Sequence, residues 1–140
     1  MTKNILISIV GIVGSAIASA FGGWTTGLTT LVIFMAIDYV TGLIVAGVFH
    51  KSTKTETGTL ESRAGFKGLC RKGAMLLVVL VAYRLDLAVG TAYIKDAVII
   101  AFIANEAISI IENAGLMGVP MNDTIKNAID VLQKKGSGNK

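Results

Sequence analysis

Few side chains in this sequence could do chemistry, and most of them stand where an ion is costly. Asp38, Arg84, Asp86, Glu106 and Glu112 interrupt long apolar runs. The sequence holds no HExxH, no Walker phosphate-binding loop and no GxSxG. Cys70 is the single cysteine and His50 the single histidine, which supports neither a disulfide within the chain nor a Cys/His metal centre. No enzyme activity, cofactor or metal is therefore expected. What remains to the acids is electrostatic work: pairing, hydrogen bonding, proton relay or the lining of a water path.

Asp38 poses the sharpest question. A carboxylate in the middle of an apolar helix costs about 2.5 to 3.5 kcal/mol to place in lipid. It must be neutral, paired, or turned toward protein or water. Thr41, Gly42 and Ala46 follow at offsets of three, four and eight and share its face. That small, polar face admits a neighbouring helix closely and offers the acid a hydroxyl partner. It reads as a packing or pore-lining stripe, or as a buried carboxylate that only fixes packing within one subunit.

The stretch around residue 106 is more polar still. At roughly 100° per residue, Asn105, Glu106, Ser109, Glu112 and Asn113 fall within an arc of about 120°. Ile103, Ala104, Ala107, Ile110 and Ile111 fall outside it. Such a face suits an aqueous cavity or a polar subunit contact. The plainer alternative is satisfaction inside one bundle, with Arg84 pairing to Glu106 across an antiparallel hairpin. Nearer the N-terminus, Ser8, Gly11, Ser15, Ala18, Ser19 and Gly22 recur at steps of three and four, a small-residue face suited to helix packing. Gly and Ala are also simply common in membrane segments.

The elements that must carry these residues follow from composition. Of 140 residues, 53% are hydrophobic and only 16% charged, with formal net charge +4. An ordinary soluble domain has about 25% charged residues. Mean hydropathy is +0.69. Disorder, a disulfide-stapled secreted fold and a water-soluble enzyme domain are disfavoured. Residues 4 to 37 form an uncharged run of 34 residues. As one helix it would reach about 51 Å at roughly 1.5 Å per residue, against a hydrocarbon core about 30 Å thick. The run should fold back at Gly22-Gly23-Trp24-Thr25-Thr26-Gly27, where glycines free the backbone and Trp24 suits the lipid–water interface.

The pattern predicts an all-α integral membrane protein, a single membrane domain over 1–140 with four transmembrane helices as two hairpins. The spans fall at about 5–21, 28–49, 73–89 and 97–116. A basic cytoplasmic loop occupies 50–72 and a cytoplasmic tail 117–140. Within the tail, 123–135 reads as a short amphipathic helix with Ile125, Ala128, Ile129 and Leu132 on one face. Basic residues concentrate at the start, in the central loop and in the tail, which places both termini in the cytoplasm. Arg84 and Asp86 make the third span the weakest, and a three-span version would lay it partly in the interface. A soluble bundle is a further alternative. So is a cleaved signal ending near Ala18-Ser19-Ala20, although the apolar pattern resumes at once from Leu28. In the central loop Arg63, Lys67, Arg71 and Lys72 face lipid, where each basic residue near anionic headgroups contributes about 1 kcal/mol; they could equally serve topology alone. No nucleic-acid site is expected, because the basic residues lie beside the spans.

Three ordered blocks carry a resemblance. Asp38-Tyr39-Val40-Thr41-Gly42 is followed by Ser62-Arg63-Ala64-Gly65-Phe66-Lys67-Gly68 and Arg71-Lys72, then by Asn105-Glu106-Ala107-Ile108-Ser109-Ile110-Ile111-Glu112-Asn113-Ala114-Gly115 with Gly118-Val119-Pro120. The set, from Asp38 to about Leu132, resembles the bacteriophage holin family that includes clostridial toxin-secretion holins. That family often has lysine after the Ser-Arg pair, where Ala64 stands here. The resemblance implies a multi-pass protein of the bacterial cytoplasmic membrane, encoded by a phage, prophage or toxin locus. It implies self-association into lesions that let an endolysin or a large toxin leave the cytoplasm, with no required contact between the two. It assigns no pore-lining residue. On physical grounds Asp38 and the Asn105–Asn113 face would repartition between subunits, with the helix 1 glycines at subunit contacts. A small ion channel or transporter using the intramembrane acids, and a non-conducting accessory protein, are the alternatives.

Overall fold

The computed structural model describes residues 1–136, which form five α-helices and, among those residues, no strand. They are α1 (Thr2–Ala20), α2 (Thr26–Gly47), α3 (Ser62–Val89), α4 (Ile94–Leu116) and α5 (Asp123–Gly136). The fold-back lies where the glycines placed it. Gly22 and Gly23 take φ of 78° and 97°, a region costly for residues with a Cβ. Their N–H groups cap the last carbonyls of α1, at Ser19 and Ala18. A side chain at Gly22 would also collide with the Tyr83 ring of α3. Thr25 then caps α2, its hydroxyl accepting from the Leu28 N–H at 3.3 Å.

α3 begins at Ser62, far earlier than the expected start at residue 73. The basic segment 62–72 is therefore helix rather than loop. Nothing in it breaks a helix, and its two glycines have a packing role. Gly65 and Gly68 lie under Tyr39 of α2, whose hydroxyl donates to the Gly65 carbonyl at 3.3 Å. Gly90, at φ 81°, ends the helix with its N–H on the Asp86 carbonyl.

Of the two expected hairpins, α3 and α4 pack against each other, whereas α1 and α2 do not pack closely. α4 is the central helix, packed most extensively on α2 and also on α3 and α5. α2 and α4 run in the same direction, with Gly27 beside Ile99 and Gly42 beside Asn113. α3 returns between the two ends. α1 packs along no other helix and buries none of its residues. Of the tail's expected apolar face, Ile125 and Ile129 are half-buried while Ala128 is exposed. The side chain of Leu132 lies outside the described residues.

Each of the three packed helices turns one seam inward. On α2 it is Leu28, Leu31, Met35, Asp38, Gly42 and Val45. These alternate steps of three and four, as coiled-coil core positions do. The half of the bundle near the α1–α2 turn has an apolar core of Leu28, Leu31, Met35, Val79 and Ile99. The other half is polar. Outside the seams the surface is apolar, with Ile33, Ile37 and Val40 of α2 and Leu77, Val78 and Val81 of α3 exposed. Charges inside and large aliphatic groups outside invert the arrangement of a water-soluble bundle. α1 and α2 are long and apolar enough to cross a membrane. α3 and α4, at 28 and 23 residues, have the length but carry more charge.

Candidate functional site

The polar half is organised by one lysine between two acids. The Lys72 ammonium of α3 donates to Asp38 Oδ2 of α2 at 2.7 Å and to Glu106 Oε2 of α4 at 2.6 Å. Asp38 and Glu106 are buried, at 4% and 6% exposure, so both acids rely mainly on protein partners. Asn113 completes the arrangement. Its amide donates to Asp38 Oδ1 at 3.1 Å, to the Asp38 carbonyl at 3.2 Å and to Thr41 Oγ1 at 2.9 Å. Thr41 does not serve the carboxylate as expected; its hydroxyl donates to the Ile37 and Asp38 carbonyls. Ser109 lies alongside Asp38. Gly42 leaves room for Asn113, which an added Cβ would meet at 3.8 Å.

Three expectations change here. Lys72 does not face lipid; it is the cation of the buried cluster. Arg84 does not pair with Glu106: it is exposed, and Lys72 takes that place from the inward face of α3. The five-residue polar arc of α4 divides. Glu106 and Asn113 are buried and Ser109 half-buried, whereas Asn105 and Glu112 are exposed. The small-residue face of α1 also packs on no other helix among the described residues. Gly11, Ser15 and Ser19 are exposed and Ala18 half-buried, and nothing lies within 4 Å of a Cβ added at Gly11. Gly22, by contrast, lies against the Tyr83 ring.

Two further polar sites fasten the opposite end of the bundle, and spacing gave no sign of them. Buried Asp86 caps α4, accepting from the Ile94 and Lys95 N–H groups at 2.9 Å each and from the Thr91 hydroxyl at 2.6 Å. α4 has no capping side chain of its own, so this carboxylate from α3 supplies it. Lys95, also buried, donates to the Phe21 carbonyl and lies over the Tyr83 ring at 5.3 Å. It ties the α1–α2 turn to α3 and α4. An acid shortly before the start of the next helix is the only hint in the sequence. Asp86→Ala should speed amide hydrogen exchange of Ile94 and Lys95 by roughly tenfold or more, as loss of a charged acceptor does. Exchange at Leu31 and Met35 should stay unchanged; a uniform rise would show that Asp86 holds the whole bundle instead.

The arrangement is suited to electrostatic work. Among the described residues every buried side-chain nitrogen and oxygen has a hydrogen-bond partner. With both acids ionised, the cluster holds one negative charge in excess of its lysine. Helices joined this way are satisfied only while together. If they part, each charged group must find water or another subunit's polar face. Among the described residues no group of three or more His, Cys, Asp or Glu could hold a metal ion.

Comparison with known proteins points one way. A model of the bacteriophage holin family matches residues 15–134. An uncharacterized protein of Halalkalibacterium halodurans is 38% identical over 128 residues, covering 87% of this chain and 89% of its own. An uncharacterized 14.9 kDa protein in the nagH 3' region of Clostridium perfringens is 38% identical over 124 residues, covering 87% and 88%. A probable holin of Bacillus phage phi105 is 31% identical over 107 residues, covering 76% and 73%. No solved structure matches.

Proposed function

The chain belongs to the bacteriophage holin family, and from that premise we propose that it oligomerises in the bacterial cytoplasmic membrane and opens lesions large enough for a folded protein. The passenger is an endolysin bound for the cell wall or a large toxin, and it needs no direct contact with the lesion. The protein acts without catalysis. The observation that supports this reading best is the inverted bundle: an Asp38–Lys72–Glu106 cluster between helices whose outer faces are apolar. In the resting monomer these groups satisfy one another. In the lesion the same faces line water, and the exposed small-residue side of α1 joins subunits. Co-expression with a cytoplasmic endolysin tests the role. Culture turbidity should collapse abruptly after a delay, and neither protein alone should produce that collapse. Continued growth with both present and membrane insertion confirmed would overturn it.

We place α1 to α4 across the membrane, with the 48–61 connection and both termini in the cytoplasm. The charge pattern supports that orientation: the two short connections at the other end carry little charge. In a Cys70→Ala background, single cysteines at exposed Thr53 and Ala92 report the two ends. A membrane-impermeant maleimide should label the cysteine replacing Ala92 in intact spheroplasts. The one replacing Thr53 should react only after permeabilisation. Equal labelling of both in intact spheroplasts would overturn the four-span arrangement.

A further inference from the structure

We propose that the groove between the first turns of α3 and the 48–61 connection is a binding site for the phosphodiester headgroup of one anionic phospholipid. Arg63, Lys67 and Arg71 recur at steps of four and so share one exposed face of α3. They line a single groove with Lys54, which reaches in from the connection. Among the described residues Arg63, Lys67 and Arg71 have no carboxylate partner, while Lys54 feels Asp38 at longer range. Glu61 is the one acid on the groove wall. The start of α3 adds the positive end of its dipole, with no acidic residue in its first turn.

A free phosphate would need only that much. The groove, however, adjoins a second cavity along α2, with Lys54, Glu61, Ala64, Gly68 and Arg71 lining both. Tyr39, Leu43, Ala46 and Leu60 give that cavity an apolar wall. Asp38 and Lys72, which also line it, are already paired with each other. Four cations, three of them without a carboxylate partner among the described residues, over an apolar slot fit a ligand with an anionic head and an aliphatic body. They also lie at the end of α2 and the start of α3, where a headgroup layer would meet the bundle. Basic pockets between membrane helices hold lipid headgroups by this chemistry. The assignment rests on the membrane placement above but not on lesion formation, so it is tested on the purified full chain without any lysis readout.

The experiment is native mass spectrometry of the protein from dodecyl maltoside micelles, titrated with dioleoyl phosphatidylglycerol or dioleoyl phosphatidylcholine. One phosphatidylglycerol should bind saturably, about tenfold more tightly than phosphatidylcholine. Arg63→Gln/Lys67→Gln/Arg71→Gln should weaken it by about tenfold or more. Lys3→Gln/Lys51→Gln/Lys126→Gln removes the same charge outside the groove and should cost about twofold or less. Gly68→Leu keeps every cation but fills the slot, and should lose phosphatidylglycerol as the triple groove variant does. Arg63→Gln alone, a single exposed change, should give a partial loss and guards against a misfolded multiple variant. Circular dichroism reports whether each variant keeps its helices. Equal binding of the two lipids, or equal losses in the groove and control variants, would overturn the site. So would displacement of the lipid by glycerol 3-phosphate at matched concentration, which would identify a plain phosphate site.

Discussion

Lys72→Met should destabilise the bundle by about 3 to 5 kcal/mol, the range for stranding a buried partner of an ion pair. The variant keeps the volume of the side chain and removes its charge, so two buried carboxylates, previously 2.7 and 2.6 Å from the ammonium, are left facing each other. Asn113 can satisfy only Asp38. The loss should therefore be electrostatic rather than steric, and neutralising the whole cluster should reverse most of it. Asp38→Asn/Lys72→Met/Glu106→Gln should regain wild-type stability to within about 1.5 kcal/mol, because well-packed neutral groups can replace a buried ion cluster at little cost. Unfolding in detergent by titration with sodium dodecyl sulfate, followed by circular dichroism, measures both. A Lys72→Met variant as stable as wild type would mean that the cluster does not hold the three helices together.

Asp38→Asn and Glu106→Gln, made separately, should each delay the onset of lysis by about twofold or more. The wild-type cluster sets one cation between two acids. Removing either acid leaves a balanced pair that Asn or Gln can still hydrogen-bond, so the resting packing tightens and parting the helices becomes harder. An increase of only about 0.5 kcal/mol in the barrier slows a process about twofold. Glu112→Gln is the control: Glu112 is exposed on α4, outside the cluster, and its loss should leave timing unchanged. Onset is read from the density of cultures co-expressing a cytoplasmic endolysin, with membrane insertion of each variant confirmed by fractionation. Wild-type timing in all three variants would remove Asp38 and Glu106 from the triggering surface.

The acids of this cluster were legible in the sequence and its cation was not, for a definite reason. Asp38 and Glu106 stand out because everything around them is apolar. Lys72 stands beside Arg71 in a basic run, and charge grouping assigns both to the same surface. On a helix consecutive residues point about 100° apart. Once α3 starts at Ser62, Arg71 turns outward and Lys72 inward, on a seam with Met75, Val79, Ala82 and Asp86. The start at Ser62 was hidden because hydropathy registers the apolar part of a helix and misses a polar extension resting on Tyr39. The glycine break before α2 and the amphipathic tail are local features and could be read directly. Lys95 on the Phe21 carbonyl and Asp86 at the head of α4 depend on how helices distant in sequence meet. The solitude of α1 likewise could not be read from its small residues, because spacing shows that a face can pack and not what it packs against.

Size-resolved permeability tests the central claim most directly. The protein is expressed in bacteria lacking other holins, and a small dye and a folded cytoplasmic reporter enzyme are followed together with membrane potential. Lesions of the proposed kind predict a delay with an intact membrane, then abrupt passage of dye and enzyme at the same moment. Steady dye or ion flux with the enzyme retained, insertion being confirmed, would contradict a protein-sized lesion and leave a small channel in its place.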